Sequence, residues 1–149
     1  MAVKPIPEGY HSITPFIVAK DARGLIEFLK KAFDAQVLHI SENDGVVMHG
    51  EIKIGDSIVM LAEENVNAPA SPVGIYLYVN DIDKTYKQAV DAGGKSIMEP
   101  ADQFYGDRTA GIKDIAGNSW WIGTHIEDVS DEEIKRRMTE MNEKRKAQE

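Results

Sequence analysis

The chain contains no cysteine, and this absence excludes a large part of metal and redox chemistry. Without a thiol among its 149 residues, it forms no disulfide bond, no thiolate metal site and no cysteine nucleophile. Apolar runs are also short, because none approaches the roughly 18 to 20 residues that a membrane-spanning helix requires. The N-terminal stretch around Pro5 and Pro7 lacks the apolar segment of a signal peptide. We therefore expect a soluble, cytoplasmic protein that does not bind membranes.

Positive charge is scarce as well. The sequence carries 17 Lys and Arg against 25 Asp and Glu, a net charge of −8. Binding to nucleic acid phosphates depends on clustered Lys and Arg, so this balance argues against a nucleic acid partner. The content of apolar residues is 42%, which suits one compact domain with a proper core.

One pattern occurs twice in the sequence. An apolar run from Thr14 leads to Asp21, and a second apolar run from Gly74 leads to Asp81. The second copy lies 60 residues after the first (74 − 14 and 81 − 21). In both copies the aspartate precedes a stretch with helical spacing of apolar residues, so that it serves as an N-cap. The repeat predicts a duplicated structural module.

The first copy predicts one strand, one helix and three further strands. The apolar residues of the helix recur at positions 25, 26, 28, 29, 32 and 33, which is helical periodicity. Asn43-Asp44-Gly45 and Gly55-Asp56 tolerate positive φ and favour hairpin turns. The predicted elements are a strand at residues 13–19, a helix at 22–33, and strands at 37–40, 46–54 and 57–62, after an irregular lead-in at residues 1–10.

The second copy predicts the same order. Its elements are a strand at residues 75–79, a helix at 82–92, a short strand at 95–98, a loop at 99–108, and strands at 109–113 and 119–124. Beyond it, Ser130 to Glu133 has the spacing of a capping box. We expect a charged helix from there to about residue 147, either a solvated tail or a strut against a partner subunit.

The predicted fold class is α+β, with two βαβββ modules in one domain and an additional C-terminal helix. The domain covers residues 1–128, with module one at 13–63, a linker at 64–73 and module two at 74–128. Residues 129–149 form the C-terminal helix.

Alternation along the strands separates two faces. In module two, Ile75, Leu77 and Val79 should pack under the helices, whereas Tyr76 and Tyr78 face away. In module one the same alternation assigns Val46, Met48, Gly50, Ile52 and Ile54 to the helix side, and Val47, His49, Glu51 and Lys53 to the other. The mixed second face is typical of a ligand-binding sheet; the alternative is a solvated sheet face.

Three segments resemble a known family. They are residues 49–57 (HGEIKIGDS), 101–108 (ADQFYGDR) and 114–120 (DIAGNSW). Together with the doubled module they resemble the vicinal oxygen chelate superfamily of glyoxalases, bleomycin resistance proteins and extradiol dioxygenases, and within it the PhnB-like subgroup. The resemblance implies that the sheets curl around a central cavity and that the protein is a homodimer.

The resemblance also implies where a metal would bind. Metal-dependent members use a His or similar ligand at the first strand of each module and a Glu in the last strand of each. The corresponding positions are Thr14 and Gly74 in the first strands, Trp121 in the last strand of module two, and Val59, Met60 or Leu61 in that of module one. None supplies a normal nitrogen or carboxylate ligand. We therefore expect neither a metal nor another cofactor.

Two residues are candidates for other chemistry. His49 and Glu51 lie two apart on one strand face, and such a pair is more often a hydrogen-bonded couple than a metal site, which needs three or four ligands. Either residue is also a candidate general base for proton transfer next to a carbonyl. Lys53 or Arg108 would then stabilise the developing negative charge.

The predicted loop at residues 102–108 has two interpretations. It is either a lid that stacks on a flat ligand, or a structural loop held by an Asp107–Arg108 ion pair with Phe104 in the core. The role of Tyr105 stays open between them. By alternation Trp120 belongs to the core and Trp121 to the cavity.

The sequence thus predicts metal-independent binding of a small aromatic or carbonyl-bearing molecule, as in sequestering resistance proteins. The predicted binding residues are Phe16, His49, Glu51, Tyr76, Tyr78, Tyr105, Arg108 and Trp121. One alternative is a glyoxalase-like lyase or isomerase with His49 or Glu51 as its base. A third is a protein-interaction module that uses the C-terminal helix.

Overall fold

The computed structural model describes residues 2–149, so Met1 of the predicted lead-in lies outside the described residues. The elements follow the predicted order of two strand-helix-strand-strand-strand units and a final helix. They are β1 (Phe16–Ala19), α1 (Ala22–Phe33), β2 (Gln36–Asn43), β3 (Val46–Ile54), β4 (Ser57–Glu63), β5 (Gly74–Tyr78), α2 (Ile82–Asp91), β6 (Lys95–Asp102), β7 (Asp107–Lys113), β8 (Ser119–His125) and α3 (Asp131–Gln148). The predicted α+β class with two βαβββ modules is confirmed.

Each module forms one four-stranded mixed sheet. The strand orders are β1-β4-β3-β2 and β5-β8-β7-β6, so the first strand of each module lies at one edge. It pairs in parallel with the last strand, and the other pairs are antiparallel. Phe16 is opposite Met60 as Tyr76 is opposite Trp121. The duplication in the sequence is therefore also a duplication of strand register.

Both predicted N-caps form. The Asp21 side chain accepts a hydrogen bond from the backbone N–H of Gly24, and Asp81 accepts one from Lys84, which satisfies a backbone donor at each helix start. The helix α1 then buries its apolar face against the sheet. These caps explain why the same aspartate stands at the same place in each copy.

The modules join through their helices and a shared core. The ring centroids of Phe33 and Trp120 are 4.9 Å apart, and both side chains belong to one core cluster that contains residues of both modules. On α2, Gln88 Nε2 donates to the Lys31 carbonyl at 2.8 Å and to Asp34 Oδ1 at 3.0 Å. The helix-facing sides of the sheets are thereby buried, whereas the opposite faces stay open.

The predicted loop at residues 99–108 is wrong for most of its length. Strand β6 continues to Asp102 and β7 begins at Asp107, so that only residues 103–106 form the turn. Pro100 favoured the prediction of a loop, because proline has no N–H group to donate to a neighbouring strand. It is tolerated here because β6 is an edge strand, with irregular register on both sides of Met98.

Alternation also fails at the start of β3. Glu42 pairs with Val47 and Ser41 with His49, so Met48 is an extra residue in a β-bulge. The bulge reverses the predicted sides: Val47 is buried in the core, and Met48 is 56% exposed. From His49 onward the predicted alternation is correct, because one inserted residue shifts only the residues that precede it.

The C-terminal helix begins as predicted. Ser130 Oγ accepts a hydrogen bond from the backbone N–H of Glu133 at 3.2 Å. No residue of α3 is buried, and Ile134 is only partly covered. Among residues 2–149, no helix combines the length and the apolar composition needed to cross a bilayer.

Candidate functional site

The open face of the second sheet carries a hydrogen-bonded cluster around one buried carboxylate. Asp107 is only 2% exposed, and its Oδ2 accepts hydrogen bonds from the hydroxyls of Tyr76 at 2.8 Å and Tyr78 at 2.7 Å. Tyr76 Oη also lies 2.8 Å from Thr109 Oγ1. Tyr105 Oη lies 3.4 Å from the same Thr109 oxygen. We call Tyr76, Tyr78, Tyr105, Asp107, Thr109 and His125 the tyrosine wall.

His125 completes the wall by lying between two carboxylates. Its Nδ1 is 2.8 Å from Asp107 Oδ1, and its Nε2 is 2.7 Å from Asp128 Oδ1. Ionised carboxylates only accept hydrogen bonds, so both ring nitrogens carry a proton in this arrangement. Hydrogen bonds to Asp128 and then to Asp107 accordingly raise the pKa of His125 above its ordinary value. The imidazolium neutralises the charge that Asp107 buries.

Asp107, Tyr76 and Tyr78 keep their ordinary charge at neutral pH. Burial opposes ionisation of Asp107, but hydrogen bonds from His125, Tyr78 and Tyr76 outweigh it and lower its pKa. Burial chiefly raises the pKa of Tyr76. The hydrogen bond to Asp107 is the main reason that the pKa of Tyr78 is raised. Asp107 is therefore a carboxylate, and both phenols keep their protons.

Trp121 lies beside this wall on the same open face. A Cβ atom added at Gly111 would come within 2.6 Å of Trp121 Cζ3 and 2.8 Å of Cε3, so the indole rests directly on the backbone of β7. Trp120, the next residue, is 1% exposed in the core. The prediction that Trp120 belongs to the core is correct, whereas Trp121, predicted to point into a cavity, lies on the open face and lines neither of the two cavities described below. Trp121 adds a flat aromatic surface next to the tyrosines.

The first sheet carries a separate polar cluster on its open face. His49 Nε2 lies 3.4 Å from Glu51 Oε1. The Tyr10 hydroxyl is buried without a partner in good hydrogen-bond geometry among the described residues, yet its closeness to Glu51 is the main reason that the pKa of Glu51 is lowered. Burial, and after it Glu51, raises the pKa of Tyr10 to about 12. Tyr10 is a member that the sequence analysis missed.

The structure thus distributes the predicted binding residues over two sheets. Phe16, His49 and Glu51 belong to the first sheet, and Tyr76, Tyr78 and Trp121 to the second. Tyr105 lies in the turn that leads into β7 and points to Thr109. Within one chain the two groups form two open faces.

Arg108 does not join either group. Its guanidinium pairs with Asp83 at the start of α2 and with Asp102, all at 3.0 Å, on the helix side of β7. The proposed Asp107–Arg108 ion pair is therefore wrong, because neighbouring residues of a strand point to opposite faces. Phe104 is half-buried rather than part of the core, with its ring edge against Tyr105 at a centroid distance of 5.3 Å.

The turn at residues 103–106 is held by the C-terminal helix. Arg137 Nη1 donates to the Phe104 carbonyl at 3.0 Å and pairs with Glu127 at 2.6 Å. The Gly106 carbonyl accepts hydrogen bonds from the backbone N–H groups of Ile126 and Glu127. Helix α3 is therefore attached by polar contacts next to Tyr105.

The positions that hold metal in metal-dependent relatives do not fit a metal here. Strand register now identifies the open position in module one as Met60, since Met60 pairs with Phe16 as Trp121 pairs with Tyr76. Thr14 Oγ1 faces the His11 carbonyl at 3.4 Å, Gly74 has no side chain, and the Trp121 ring lies on Gly111. No group of three or more His, Cys, Asp or Glu side chains within residues 2–149 is arranged to hold a metal ion.

Two cavities lie along β5, where module two faces the β3–β4 hairpin. The larger, of about 670 Å³, is lined by both modules, including Phe33, Asp56, Tyr78 and Gln88. The smaller, of about 260 Å³, lies between the N-terminal segment around Tyr10 and the start of β5. Tyr76 lines both cavities, so the tyrosine wall borders the junction of the modules.

The turn between β7 and β8 has a structural role. Asp114 is buried, and its two oxygens accept hydrogen bonds from Ala116 N, Asn118 N, Asn118 Nδ2 and Trp120 Nε1 at 2.8 to 3.0 Å. Asn118 Oδ1 in turn accepts from the backbone N–H of Val73. The motif that carries the family resemblance thus positions Trp120 and the start of β5.

Comparison with known proteins agrees with this architecture. A sequence model of the Glyoxalase/Bleomycin resistance protein/Dioxygenase superfamily matches residues 9–122. The chain belongs to this superfamily. Uncharacterized protein Mb0911c of Mycobacterium bovis is 30% identical over 140 residues, which cover 86% of this chain and 92% of that protein.

Solved structures with a similar fold superpose on the chain. TioX from Micromonospora sp. ML1 has a TM-score of 0.68 at 18% identity, covering 78% of this chain and 99% of TioX. A PhnB protein from Bacillus cereus has a TM-score of 0.60 at 18% identity, covering 76% and 99%. At these identities the likeness concerns the fold.

Sequence reasoning missed the centre of the wall. Asp107 was considered only as one partner of an ion pair with Arg108, in one of two interpretations of the loop, and His125 and Thr109 were not singled out. A usable signal existed: residues 105, 107 and 109 alternate along one strand face, as do 121, 123 and 125. The incorrect loop boundary concealed the first series.

Proposed function

We propose that the protein binds a small flat molecule on its open sheet faces without a metal ion, in the manner of sequestering resistance proteins of its superfamily. The observation that carries this proposal is the position of Trp121. Its indole lies on Gly111, at the register position where metal-dependent members place a carboxylate. The tyrosine rings beside it, with centroids 5.0 Å apart, extend the same aromatic surface. Such a surface binds flat molecules through stacking and apolar burial.

The proposal includes a homodimer. Phe16 is 48% and Tyr78 61% exposed, and a second copy would cover such large side chains on the open faces. Within the superfamily we place the chain in the PhnB-like subgroup, on the strength of the segment at residues 101–108. Light scattering after size-exclusion chromatography tests the dimer. The expected mass is twice the 16.6 kDa of the chain, and a monomeric mass at micromolar concentration would contradict the homodimer.

The first test of the proposal is metal content and turnover. Protein purified without chelator should contain far less than one equivalent of Zn²⁺ or Ni²⁺ by elemental analysis. It should not convert the hemithioacetal of methylglyoxal and glutathione. One bound metal per chain together with turnover would contradict metal-independent binding.

The second test is fluorescence titration with 4-nitroaniline, a flat neutral molecule that absorbs where tryptophan emits. We expect saturable quenching, since Trp121 lies on the open face. Trp121→Ala removes the stacking surface and should lower the apparent affinity of the saturable component at least about threefold, while buried Trp120 still reports binding by energy transfer to the probe. Free tryptophan at equal absorbance corrects for light absorption by the probe. Unchanged affinity in the variant would remove Trp121 from the binding site.

A second candidate function is a lyase or isomerase that uses the cluster on the first sheet. The observation that favours it is the contact between His49 and Glu51 beside Tyr10 on an open face, because this contact places an ionised carboxylate where it accepts a proton from a bound molecule. The lowered pKa of Glu51 keeps it ionised but makes it a weak base. Glu51→Gln keeps the shape of the side chain and removes this base. Turnover of a carbonyl substrate that falls at least about a hundredfold in the variant would favour catalysis over binding alone.

A further inference from the structure

The hydroxyl protons of the tyrosine wall all point in one direction. Asp107 only accepts hydrogen bonds, so Tyr76 and Tyr78 must each donate their single proton to it. Since the Tyr76 proton is used, the 2.8 Å contact with Thr109 requires that the threonine hydroxyl donates to Tyr76 Oη. Thr109 then has only lone pairs to offer to Tyr105. Hydrogen bonds thus run inward toward the buried carboxylate.

This direction determines what the wall presents to a ligand. The outward side of the Tyr78 oxygen carries lone pairs, because its proton is held by Asp107. Both protons of the His125 ring are also occupied, one by Asp107 and one by Asp128. Raised pKa values keep the two phenols protonated at neutral pH, so the pattern does not change there. The wall therefore accepts hydrogen bonds and has few protons to donate.

Charge and aromatic faces favour the same kind of ligand. The positive charge of His125 is shared between two carboxylates, and the whole chain carries a net charge of −8, which attracts cations. The faces of Tyr78 and Trp121 are electron-rich and attract a cation placed over them. An anionic or carbonyl group would meet lone pairs without a compensating donor, which costs free energy.

We infer that the ligand of the tyrosine wall is a flat aromatic molecule that carries a cationic N–H donor group, rather than a carboxylate or a carbonyl. The inference rests on the proposed function, metal-free binding at this face, and narrows the ligand class within it. The inference predicts that, of two ligands that differ only in this group, the protein binds the cationic one more tightly.

The test is a matched pair of probes, naphthalene-2-carboxamidine and naphthalene-2-carboxylate, which share ring and shape. Isothermal titration calorimetry of the full chain at pH 7 should show that the amidine binds at least about tenfold tighter, the discrimination expected of one well-formed charge-assisted hydrogen bond. The preference should persist in 0.5 M salt, because contact hydrogen bonds are screened far less than distant charges.

Asp107→Asn tests the direction of the hydrogen bonds. An amide is able to donate to the tyrosine oxygens, which releases their protons toward the ligand, so the preference for the amidine should fall at least about tenfold. Asp44→Asn is the control, because it removes the same unit of charge at a turn whose positive φ of 51° suits asparagine. The control should keep the preference of the wild-type protein.

Tyr78→Phe provides a second variant in case Asp107→Asn fails to fold. It removes the exposed acceptor oxygen and should lower amidine affinity about fivefold or more. Tyr86→Phe is its control, since the Tyr86 hydroxyl bonds to Ser96 on the helix side of the sheet.

The outcomes separate the two proposals. Tighter binding of the carboxylate by the wild-type protein overturns the inference and leaves metal-free binding intact. Failure of both probes to bind overturns the proposed function and the inference with it. A preference that Asp107→Asn or, failing that, Tyr78→Phe leaves unchanged also overturns the inference.

Discussion

Replacement of Gly106 by alanine should destabilise the domain by more than its backbone conformation alone explains. Gly106 has φ of 105°, a region that costs a side-chain-bearing residue about 1 to 2 kcal/mol. An added Cβ would in addition overlap the carbonyl oxygen of Glu127 and lie 3.1 Å from Val129 Cγ2. The first obstacle is backbone, so that it does not move aside as a flexible side chain would.

The magnitude follows from these two contributions. Overpacking of a closely packed site costs about 1 to 3 kcal/mol, so the total loss of unfolding free energy should be about 2 to 5 kcal/mol. Gly45→Ala is the matched control, because Gly45 has φ of 79° and nothing within 4 Å of an added Cβ. It should lose only about 1 to 2 kcal/mol. The entropic effect of alanine on the unfolded chain is similar at both sites.

Urea denaturation followed by tryptophan fluorescence measures both losses. The difference between the variants should be about 2 kcal/mol, which corresponds to roughly 4 to 8 °C in Tm for a chain of this size. Equal losses for the two variants would refute the reasoning, because they would show that the contact with Glu127 does not constrain residue 106.

Three further predictions follow from buried or bridging polar groups. Asp114→Ala leaves four donors without their acceptor and should lower the unfolding free energy by at least about 3 kcal/mol in urea; a loss below about 1 kcal/mol would contradict the turn network. Because the pKa of His125 is raised in the fold, its contribution is complete below its unfolded pKa of about 6.5 and is lost as pH rises through the folded pKa. The Tm advantage of the wild-type protein over His125→Gln should therefore shrink from pH 6 to pH 9, and parallel curves would refute this. Arg137→Ala should speed amide hydrogen exchange at Gly106, whereas Arg136→Ala, whose contacts stay within α3, should not; equal exchange would show that α3 does not hold the turn.

Because the pKa of Asp107 is lowered in the fold, the stability that the tyrosine wall contributes also decreases at low pH. Its contribution is present above the unfolded carboxyl pKa of about 3.9 and is lost as pH falls through the folded pKa. The ion pair of Asp107 with His125 is therefore most stabilising between about pH 4 and pH 6.5.

Local sequence predicted the elements whose causes are local. Asp21 and Asp81 cap helices through contacts three residues away, and Ser130 does the same for α3. Such short-range hydrogen bonds depend little on the rest of the fold. The same holds for the apolar periodicity of α1, whose buried residues match the predicted face.

The errors arose where a distant strand decides the outcome. Met48 bulges because its neighbours Val47 and His49 pair with consecutive residues of β2, and Pro100 lies in a strand because that strand is at an edge. Neither strand pairing can be predicted from a sequence window of a few residues. The loop boundary that followed from Pro100 then hid the alternation of residues 105, 107 and 109.

The candidate site divides in the same way. Sequence alternation assigned Tyr76, Tyr78 and Trp121 to the side of their strands that faces away from the helices, because alternation along a strand is a local property. Tyr105 was named as a binding residue from a predicted loop, without an assigned face. Sequence also assigned Arg108 to the site, whereas the guanidinium pairs with Asp83 of α2. It did not find the buried carboxylate that organises the tyrosines.

The sequence by itself therefore determined the duplicated βαβββ order, the helix caps, the split of Trp120 from Trp121 and the absence of metal ligands at Thr14, Gly74 and Trp121. These features follow from residue identity and short-range geometry. Only the tertiary structure decided that Asp107, Tyr76, Tyr78 and His125, which lie on three different strands, come into contact. It also decided that Met60 is the fourth of the positions that correspond to metal ligands. These contacts join residues 18 to 44 positions apart, because a sheet brings together strands that the chain separates.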